Sequence, residues 1–462
     1  MEKIRILHTN DLHSHFEKFP KIKRFLNAAQ QDNTVDQVYT FDAGDFMDRS
    51  NPLSDATNGH ANIELMNQFN YDAVTIGNNE GISNPHEVVE HLFDYAQFPT
   101  VLANLREEDE SMPKWCTSYK IFTTKKKTRI AVIGLTAPYP MTYGPNHWHV
   151  KMLGEVIPDL LTTLKGKYDI LVGLTHIGVN LDSWIADKFP EFDLIVGGHT
   201  HTLLETGKWV NNTLIVQTGK WGRYVGDVNL IVDDHHKITS MKACVHETAQ
   251  MAEQAQDLAE SKALFEKGKQ LLEREKIADL PALFADDKEE AVAVSLDAIA
   301  DFAGTDLAML STGLFLTPFK QGIMTRFDLQ TCLPHPMHVV RTTLKGSDLW
   351  RLVMEIEKNR HFLRKFHLIG MSFRGKVFGE VYYRNIQVDM KTRLVYVNGE
   401  EIDPDRYYQI ATLDHYILIP FFPTLAVVGE NEFLFPKVLS QVIGEYLAKK
   451  YPIKKGEVSG RK

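Results

Sequence analysis

Five short groups of the sequence contain side chains from which a metal-assisted reaction could be built. Each group ends, or closely follows, a short apolar run of the chain. They are Asp11-Leu12-His13, Gly44-Asp45, Gly77-Asn78-Asn79-Glu80, Thr175-His176 and Gly197-Gly198-His199-Thr200-His201. Their carboxylate, amide and imidazole donors, without a thiolate, suit Mn, Fe or Zn. A carboxylate among them could bridge two ions about 3.5–4 Å apart, the geometry used for hydrolytic displacement at phosphorus.

The elements that must position these side chains are strands. Apolar runs predict strands at residues 4–8, 37–41, 72–76, 129–135, 169–175, 193–196, 214–217 and 227–232. Ligands of open α/β sheets bind outside the carboxyl ends of the strands, where these side chains lie. Asp11 and His13, two residues apart, are expected to point the same way from an extended segment. Glycines before Asp45, Asn78 and His199 permit tight turns and close backbone approach.

Helical patterns alternate with these strands in the first half of the chain. Apolar residues recur at helical spacing over 19–29, and residues 85–95 and 180–188 also predict helices. The strands are apolar nearly throughout, which is typical of sheets buried on both faces. The first half is therefore predicted to be an α/β domain.

The length of 462 residues predicts two or three domains, at roughly 100 to 200 residues per domain. Residues 1–246 form the first predicted domain, and residues 288–462 form the second. Between them, residues 247–287 are predicted to be a helical linker, with a long helix over 247–276 that is rich in Ala, Glu, Gln, Lys and Leu. The second domain is predicted to begin with a helix near 291–299 and to continue with strands at 379–389, 393–397 and 407–412.

The composition limits the possible partners and compartments. Hydrophobic residues make up 44% of the chain and charged residues 24%, which excludes a disordered or fibrous protein. The net charge of −9 argues against binding to nucleic acid polymers or to anionic membranes. Three widely spaced cysteines and an N-terminus without an apolar signal segment indicate the cytoplasm. The oligomeric state stays open.

Five segments carry a resemblance to a known family. They are LHTNDLHSHF (7–16), DAGDFMDRS (42–50), AVTIGNNE (73–80), LTHIG (174–178) and GGHTHT (197–202). Together they resemble the calcineurin-like metallophosphoesterases, and most closely a divergent member of the 5′-nucleotidase and UDP-sugar hydrolase branch. The resemblance implies a four-layer α/β/β/α sandwich followed by a smaller α/β substrate-binding domain.

The resemblance also implies which residues hold metal. One divalent ion would be bound by Asp11, His13, Asp45 and His201. A second would be bound by Asp45, Asn78, His176 and His199, so that Asp45 bridges the two. The ions, whose identity as Mn, Zn or Fe is open, would assist hydrolysis of a small phosphorylated molecule.

The sequence departs from the family at the position of its catalytic histidine. The family motif Gly-Asn-His-Glu is Gly77-Asn78-Asn79-Glu80 here, and the aspartate that orients the histidine is replaced by Ile82. Asn79 cannot give up a proton at neutral pH, although its amide can donate a hydrogen bond. We therefore expect Asn79 at the catalytic position, and a preference for phosphoanhydrides or activated esters over simple monophosphates.

The predicted second domain departs from the family as well. Leu316 lies near the position of an arginine that holds phosphate in relatives. Arg326, Arg341 and Arg374 are candidates to replace it, and Arg341 is taken as the phosphate-binding candidate. Phe366 is the candidate aromatic side chain for stacking on a substrate base.

Two classes of function follow from these residues. The first is a two-metal phosphoesterase that acts on a nucleotide-like molecule in nucleotide catabolism, with His60 or His86 as substitutes for the missing acid. The alternative is a catalytically impaired metal-containing protein with a binding or regulatory role. A phosphodiesterase, or a hydrolase of other esters, on the same scaffold is a third possibility.

Overall fold

The structure, a computed structural model, describes residues 1–284, 288–370 and 373–454. The chain divides into two compact units, Met1–Gly268 and Lys269–Lys462. The predicted limits at 246/247 and 287/288 stay predictions, and positions 285–287 of the predicted linker and 455–462 of the predicted second domain lie outside the described residues. Within the described ranges, no helix is both long enough and apolar enough to cross a membrane.

The first unit contains fifteen strands among its described residues. They are β1 (Glu2–Thr9), β2 (Gln37–Asp42), β3 (Ala73–Val74), β4 (Thr100–Val101), β5 (Leu105–Glu107), β6 (Cys116–Thr117), β7 (Tyr119–Thr123), β8 (Arg129–Thr136), β9 (Trp148–Val150), β10 (Ile170–His176), β11 (Leu194–Gly197), β12 (Lys208–Val210), β13 (Thr213–Val216), β14 (Tyr224–Val232) and β15 (Ile238–Glu247). The helices that accompany them are α1 (Phe19–Gln30), α2 (Pro52–Ala56), α3 (His60–Met66), α4 (Asn78–Gly81), α5 (His86–Leu92), α6 (Pro140–Tyr143), α7 (Leu153–Leu164), α8 (Val179–Lys188) and α9 (Asp257–Arg274), the last of which extends into the second unit.

The strands of the first unit form two large sheets. One has seven strands in the order β15-β14-β1-β2-β3-β4-β6, and the other has six in the order β12-β13-β11-β10-β8-β7. The strands that lead to the predicted site are parallel within each sheet, so their carboxyl ends lie at one edge. Strands β5 and β9 form a separate two-stranded antiparallel sheet.

The two sheets pack face to face around an apolar core. Side chains such as Ile6, Phe41, Val172 and Val196 meet between them and are almost completely buried. Helices α7 and α8 cover the other face of the six-stranded sheet, and α1 covers the seven-stranded sheet through its buried face. The predicted four-layer α/β/β/α sandwich is therefore confirmed.

The second unit is a smaller α/β domain, as predicted. Its strands are β16 (Lys276–Leu280), β17 (Leu307–Ser311), β18 (Gly322–Thr325), β19 (His338–Lys345), β20 (Val381–Arg384), β21 (Ile386–Asp389), β22 (Leu394–Val397), β23 (Glu400–Glu401), β24 (Tyr407–Leu413) and β25 (Glu430–Val438). Its helices are α10 (Lys288–Ala303), α11 (Arg326–Cys332), α12 (Gly346–Leu363), α13 (Asp414–Leu418), α14 (Pro423–Val427) and α15 (Leu439–Lys450). The main sheet has the order β20-β17-β24-β19-β25, and α10 and α12 pack against it.

The long helix predicted for residues 247–276 is only partly present. A single 3₁₀ turn at Thr248–Gln250 is followed by non-helical chain, and α9 begins at Asp257. Arg24 binds the Asp257 carboxylate with two nitrogens, and the same carboxylate accepts a hydrogen bond from the backbone of Gln254. These contacts with Arg24 hold the segment before Asp257 in a non-helical conformation. Helix propensity alone therefore placed the start of this helix too early.

Candidate metal centre and active site

The structure brings the seven predicted metal-binding side chains together at facing edges of the two sheets. In the seven-stranded sheet, predicted ligands follow the strands β1, β2 and β3. In the six-stranded sheet, one predicted ligand ends β10 and two follow β11. His176 is itself the last residue of β10 and is fully buried. The site is therefore built from both sheets.

One half of the cluster contains Asp11, His13 and His201. The Nε2 atoms of His13 and His201 lie 2.9 Å apart. Asp11 Oδ1 lies 3.5 Å from the first and 3.4 Å from the second. Three donor atoms thus face a common point.

The other half contains Asp45, His176, Asn78 and His199. Asp45 Oδ2 lies 3.2 Å from His176 Nε2, and Asn78 Oδ1 lies 2.9 Å from His199 Nδ1. Asp45 Oδ2 also lies 3.9 Å from His13 Nε2 in the first half. Its carboxylate therefore reaches towards both halves, as the predicted bridging role requires.

These separations fit divalent metal ions. Two donors bound to one ion at about 2.1 Å lie about 3.0 Å apart at a right angle and about 3.4 Å apart in a tetrahedron. His176 gives a further test, because its Nδ1 donates to the carbonyl oxygen of Ala43 at 2.7 Å. Its buried Nε2 faces carboxylate oxygen and has no partner with hydrogen-bond geometry among the described residues. A cation at that point would satisfy both atoms.

The charges of the cluster are strongly coupled. Burial alone would raise the pKa of Asp11, but the charge of His176 and hydrogen bonds from His13 and His201 hold it well below its usual range. Burial disfavours the charged form of His176, yet Asp45 and Asp11 raise its pKa to about 10. A divalent ion bound to His176 Nε2 would replace this proton and supply the positive charge that the two carboxylates favour.

His199 behaves in the opposite way. Burial and the nearby charge of His176 lower the pKa of His199 to about 4. Its imidazole is therefore neutral at physiological pH, which is the form that can bind a metal ion.

The backbone is strained at most of the predicted ligands. Positive φ angles occur at Asp11 (51°), His13 (48°), Asp45 (52°), His199 (79°) and His201 (55°). Left-handed backbone costs a non-glycine residue about 1–2 kcal/mol, and such strain is concentrated at functional sites. The expectation that Asp11 and His13 project from an extended segment was therefore wrong, because left-handed turns direct them.

Hydrogen bonds between neighbouring loops hold these turns. The backbone N–H of Asp11 donates to Gly44, and that of His13 donates to Asp45, at 2.9 and 3.0 Å. The carboxylate of Glu80 accepts hydrogen bonds from the backbone of Asp45, Met47 and Gly77 at 2.8–3.0 Å. Glu80 therefore ties the loop after β2 to the loop after β3.

A buried arginine provides a second tie between the same loops. Arg49 donates to Asp55 in the following helix α2 and to Asn84 and the Ser83 carbonyl beyond α4. Only 6% of Arg49 is exposed. Neither this role nor that of Glu80 was predicted, although Glu80 belongs to the quoted motif and its acidic side chain in an apolar setting was the available signal.

Asn79, the predicted catalytic residue, is buried among the ligands. Only 5% of its surface is exposed. Its Nδ2 lies 2.9 Å from His13 Nδ1 and donates to the carbonyl oxygen of Met47 at 3.1 Å. Its backbone N–H donates to Asp45 Oδ1 at 2.8 Å. The side chain thus contacts the outer nitrogen of a predicted ligand, and its catalytic role stays a prediction.

The two predicted substrate-binding residues lie in the second unit and do not share one environment. Phe366 is half-buried and packs against Phe421 with ring centroids 4.7 Å apart. Arg341 lies on β19, where Nε donates to Glu432 at 2.9 Å and another nitrogen donates to the Ala303 carbonyl. Both assignments stay predictions.

The two histidines considered as substitute acids, His60 and His86, lie in the helices of the first unit. His86, at the start of α5, lies 2.8 Å from Glu107 and packs on Trp148. His60 begins α3. Neither side chain is among the groups that contact the seven predicted ligands within the described part of the chain.

Family models match both units. One described as calcineurin-like phosphoesterase matches residues 4–203, and one described as 5′-nucleotidase, C-terminal domain, matches residues 284–418. A Bacillus subtilis (strain 168) protein named uncharacterized metallophosphoesterase YunD is 35% identical over 466 residues, 97% of this chain and 99% of the relative. Protein UshA of Yersinia enterocolitica is 24% identical over 96% of this chain and 91% of its own length.

Solved structures share the fold. The Haemophilus influenzae NAD nucleotidase superposes with a TM-score of 0.63 at 18% identity, covering 97% of this chain and 96% of its own. The 5′-nucleotidase precursor of Thermus thermophilus gives 0.60 at 18% identity, covering 98% and 97%. Calcineurin-like phosphoesterases use a pair of divalent metal ions, for which this chain has candidate ligands. The chain therefore belongs to the metal-dependent hydrolases of the calcineurin-like metallophosphoesterase family that carry a 5′-nucleotidase C-terminal domain.

Proposed function

We propose that this protein hydrolyses a small, nucleotide-like phosphorylated molecule with two divalent ions, Mn, Zn or Fe. The observation that carries the proposal is the convergence of seven donors whose nearest atoms are 2.9–3.5 Å apart. One ion would be held by Asp11, His13, Asp45 and His201, and the other by Asp45, Asn78, His176 and His199. When bound, the ions would act as Lewis acids that stabilise negative charge on the phosphoryl oxygens.

The protein groups around the ligands serve to orient them. Asp45 Oδ1 accepts the backbone N–H of Asn79, which leaves Oδ2 directed at His176. Asp11 Oδ2 accepts hydrogen bonds from Asn10 at 2.7 Å and from the backbone of His199 at 3.0 Å. The same His199 N–H also lies 3.2 Å from Asp11 Oδ1, the oxygen that faces His13 and His201. Both carboxylates are thus fixed by protein groups, so little reorganisation is needed when substrate binds.

The substrate class follows from the leaving group. A positioned proton donor contributes about 10²–10⁴-fold to rate, and it matters most when a poor leaving group such as an alkoxide departs. Asn79 has no acidic proton, and its amide is engaged by Met47 and His13. We propose that the enzyme prefers phosphoanhydrides or activated esters, whose leaving groups need no protonation.

Initial rates on three substrates test this preference. A nucleoside monophosphate, a nucleoside diphosphate sugar and an activated aryl phosphate would be compared with Mn²⁺ in excess. We expect the anhydride and the aryl ester to be hydrolysed faster than the monophosphate. Fastest turnover of the monophosphate would refute the proposed preference.

The second candidate is a catalytically impaired metal-binding or regulatory protein. The replacements Asn79 and Ile82, together with the engaged amide of Asn79, favour it. Full occupancy by two ions without turnover of any of the three substrates, or of an activated phosphodiester, would support this candidate. Measurable turnover that depends on the ions would support the enzyme.

We also propose that the protein acts in the cytoplasm, in nucleotide catabolism. Cys116, Cys244 and Cys332 are free thiols, which suits a reducing compartment. Fractionation of cells that express the tagged protein would test the location.

A further inference from the structure

Tyr139 lies beside the proposed metal centre but is not among its predicted residues. It follows β8 and directly precedes α6, at the carboxyl edge of the six-stranded sheet where β10 ends in His176. Its hydroxyl oxygen lies 2.6 Å from His199 Nε2, and the two ring centroids are 5.7 Å apart. Tyr139 is 41% exposed, so its ring reaches the ligand from the open side of the site.

The two nitrogens of His199 face groups of different chemistry. Nδ1 lies 2.9 Å from the side-chain oxygen of Asn78, which can only accept a hydrogen bond or bind a cation. Nε2 faces the Tyr139 hydroxyl, which can either donate or accept. The ring is therefore held between an obligatory acceptor on one side and an adaptable group on the other.

Metal binding through Nδ1 requires one tautomer of the ring. Nδ1 can share an ion with Asn78 Oδ1 only when its lone pair is free, so the ring proton must be on Nε2. A buried N–H needs an acceptor, and the second nitrogen of a metal-bound histidine usually has one. The Tyr139 oxygen lies at the distance required to accept a hydrogen bond from that N–H.

We propose that Tyr139 is a positioning residue of the metal centre. Its hydroxyl oxygen accepts a hydrogen bond from the Nε2–H of His199 and so directs the Nδ1 lone pair towards the ion shared with Asn78. This inference rests on the proposed function, because it presumes that the ion is bound there. It assigns to Tyr139 a role in metal affinity that is separate from any contact with substrate.

The substitution Tyr139→Phe tests the inference, since it removes the acceptor and keeps the ring. Loss of such a partner weakens metal binding about 10- to 100-fold. We expect the affinity for the ion held by His199 to fall by this factor. The affinity for the ion held by His13 and His201 should be unchanged. Titration calorimetry with Mn²⁺ alone, together with the metal content after gel filtration, measures both sites without an activity assay.

Two further variants sharpen the test. Tyr143→Phe removes a hydroxyl from α6, the short helix that follows Tyr139. That hydroxyl lies 3.3 Å from Thr136 Oγ1, and its loss should leave both metal affinities unchanged. Tyr139→Gln offers an amide oxygen as a new acceptor and should recover part of the lost affinity.

The outcomes separate the inference from the proposed function. Two ions bound with unchanged affinity in Tyr139→Phe would overturn the inference and leave the metal centre in place. Equal weakening of both ions would also overturn it, because a general disturbance would then explain the result. An unsubstituted protein that binds no divalent ion would overturn both.

Discussion

A single methyl group at Gly77 should disable the proposed metal centre far more than it destabilises the fold. The φ of Gly77 is −97°, a value that alanine adopts without strain. A Cβ atom on this backbone, however, would lie 2.0 Å from Asp45 Oδ1 and 2.7 Å from the Asp45 nitrogen. The added methyl group would occupy the space of the carboxylate that is proposed to bridge the ions.

The expected size of the effect follows from these distances. Ordinary contact begins near 3.4 Å, so Asp45 Oδ1 must retreat by about 1.4 Å, the difference between 3.4 and 2.0 Å. Metal–ligand distances tolerate about 0.2 Å, and a misplacement of about 1 Å costs roughly 100-fold in rate. We therefore expect Gly77→Ala to lower kcat/KM at least about 100-fold and to weaken the binding of both ions. Overpacking should cost only about 1–3 kcal/mol of stability.

The assay compares metal binding, activity and folding in one set of variants. Mn²⁺ affinity is measured by titration calorimetry, kcat/KM on the best of the three substrates, and folding by circular dichroism. Gly154→Ala, in helix α7, is the matched control. Its added Cβ would contact only the ring of Trp184, at 3.9 Å. If Gly77→Ala binds both ions and keeps kcat/KM within about threefold of the unsubstituted protein, the placement of Asp45 between the ions is refuted.

Three other predictions concern the same unit. Asp45→Asn should abolish phosphate release, because the bridging charge is lost; activity that survives in the purified variant would come from another site or a contaminant. Arg49→Met should lower the free energy of unfolding in urea by about 3 kcal/mol, because it leaves a buried carboxylate without its cation; a loss below about 1 kcal/mol would contradict that role. Burial opposes the charge of Asp227, but hydrogen bonds from His246 and Arg5 lower its pKa to about 2. The resulting stability is present above the usual pKa near 4 and is lost as the pH falls towards 2, so Asp227→Asn should destabilise by about 1–2 kcal/mol at pH 7 and by about half as much at pH 3. A destabilisation that does not shrink on acidification would rule this out.

The groups that contain the predicted donors could be located from the sequence because their positions depend on local features, and the resemblance then selected seven residues among them. Asp45 and His176 each follow or end an apolar run, and parallel strands deliver their carboxyl ends to one edge of a sheet. Strand limits were also close, since β1 extends the predicted segment by two residues at its start and one at its end, and β10 is shifted from the predicted segment by one residue. The four-layer arrangement came from the resemblance, because periodicity does not reveal which strands share a sheet.

The supporting residues could not be predicted, because their roles depend on distant partners. Glu80 contacts the backbone of Asp45 across 35 positions, and Tyr139 contacts His199 across 60. Left-handed backbone at Asp11 and His13 likewise has only a weak signal in a single sequence, because Asp and His adopt it more often than other non-glycine residues but still rarely. The start of α9 was misplaced for the same reason, since a contact with Arg24 determines it.

The change from histidine to asparagine at position 79 alters what that side chain can do for the reaction. Two histidines of the proposed site have an outer nitrogen that faces a protein oxygen: His176 faces a backbone carbonyl and His199 faces the hydroxyl of Tyr139. Asn79 instead directs its amide nitrogen at the outer nitrogen of His13. An imidazole acid at position 79 would have to face the leaving group, whereas the amide is turned inward and 95% buried. The same residue cannot serve both purposes. Under the proposed preference, the enzyme would cleave bonds whose leaving group departs without a proton, so we expect the leaving group, rather than the nucleoside, to decide which substrates it hydrolyses.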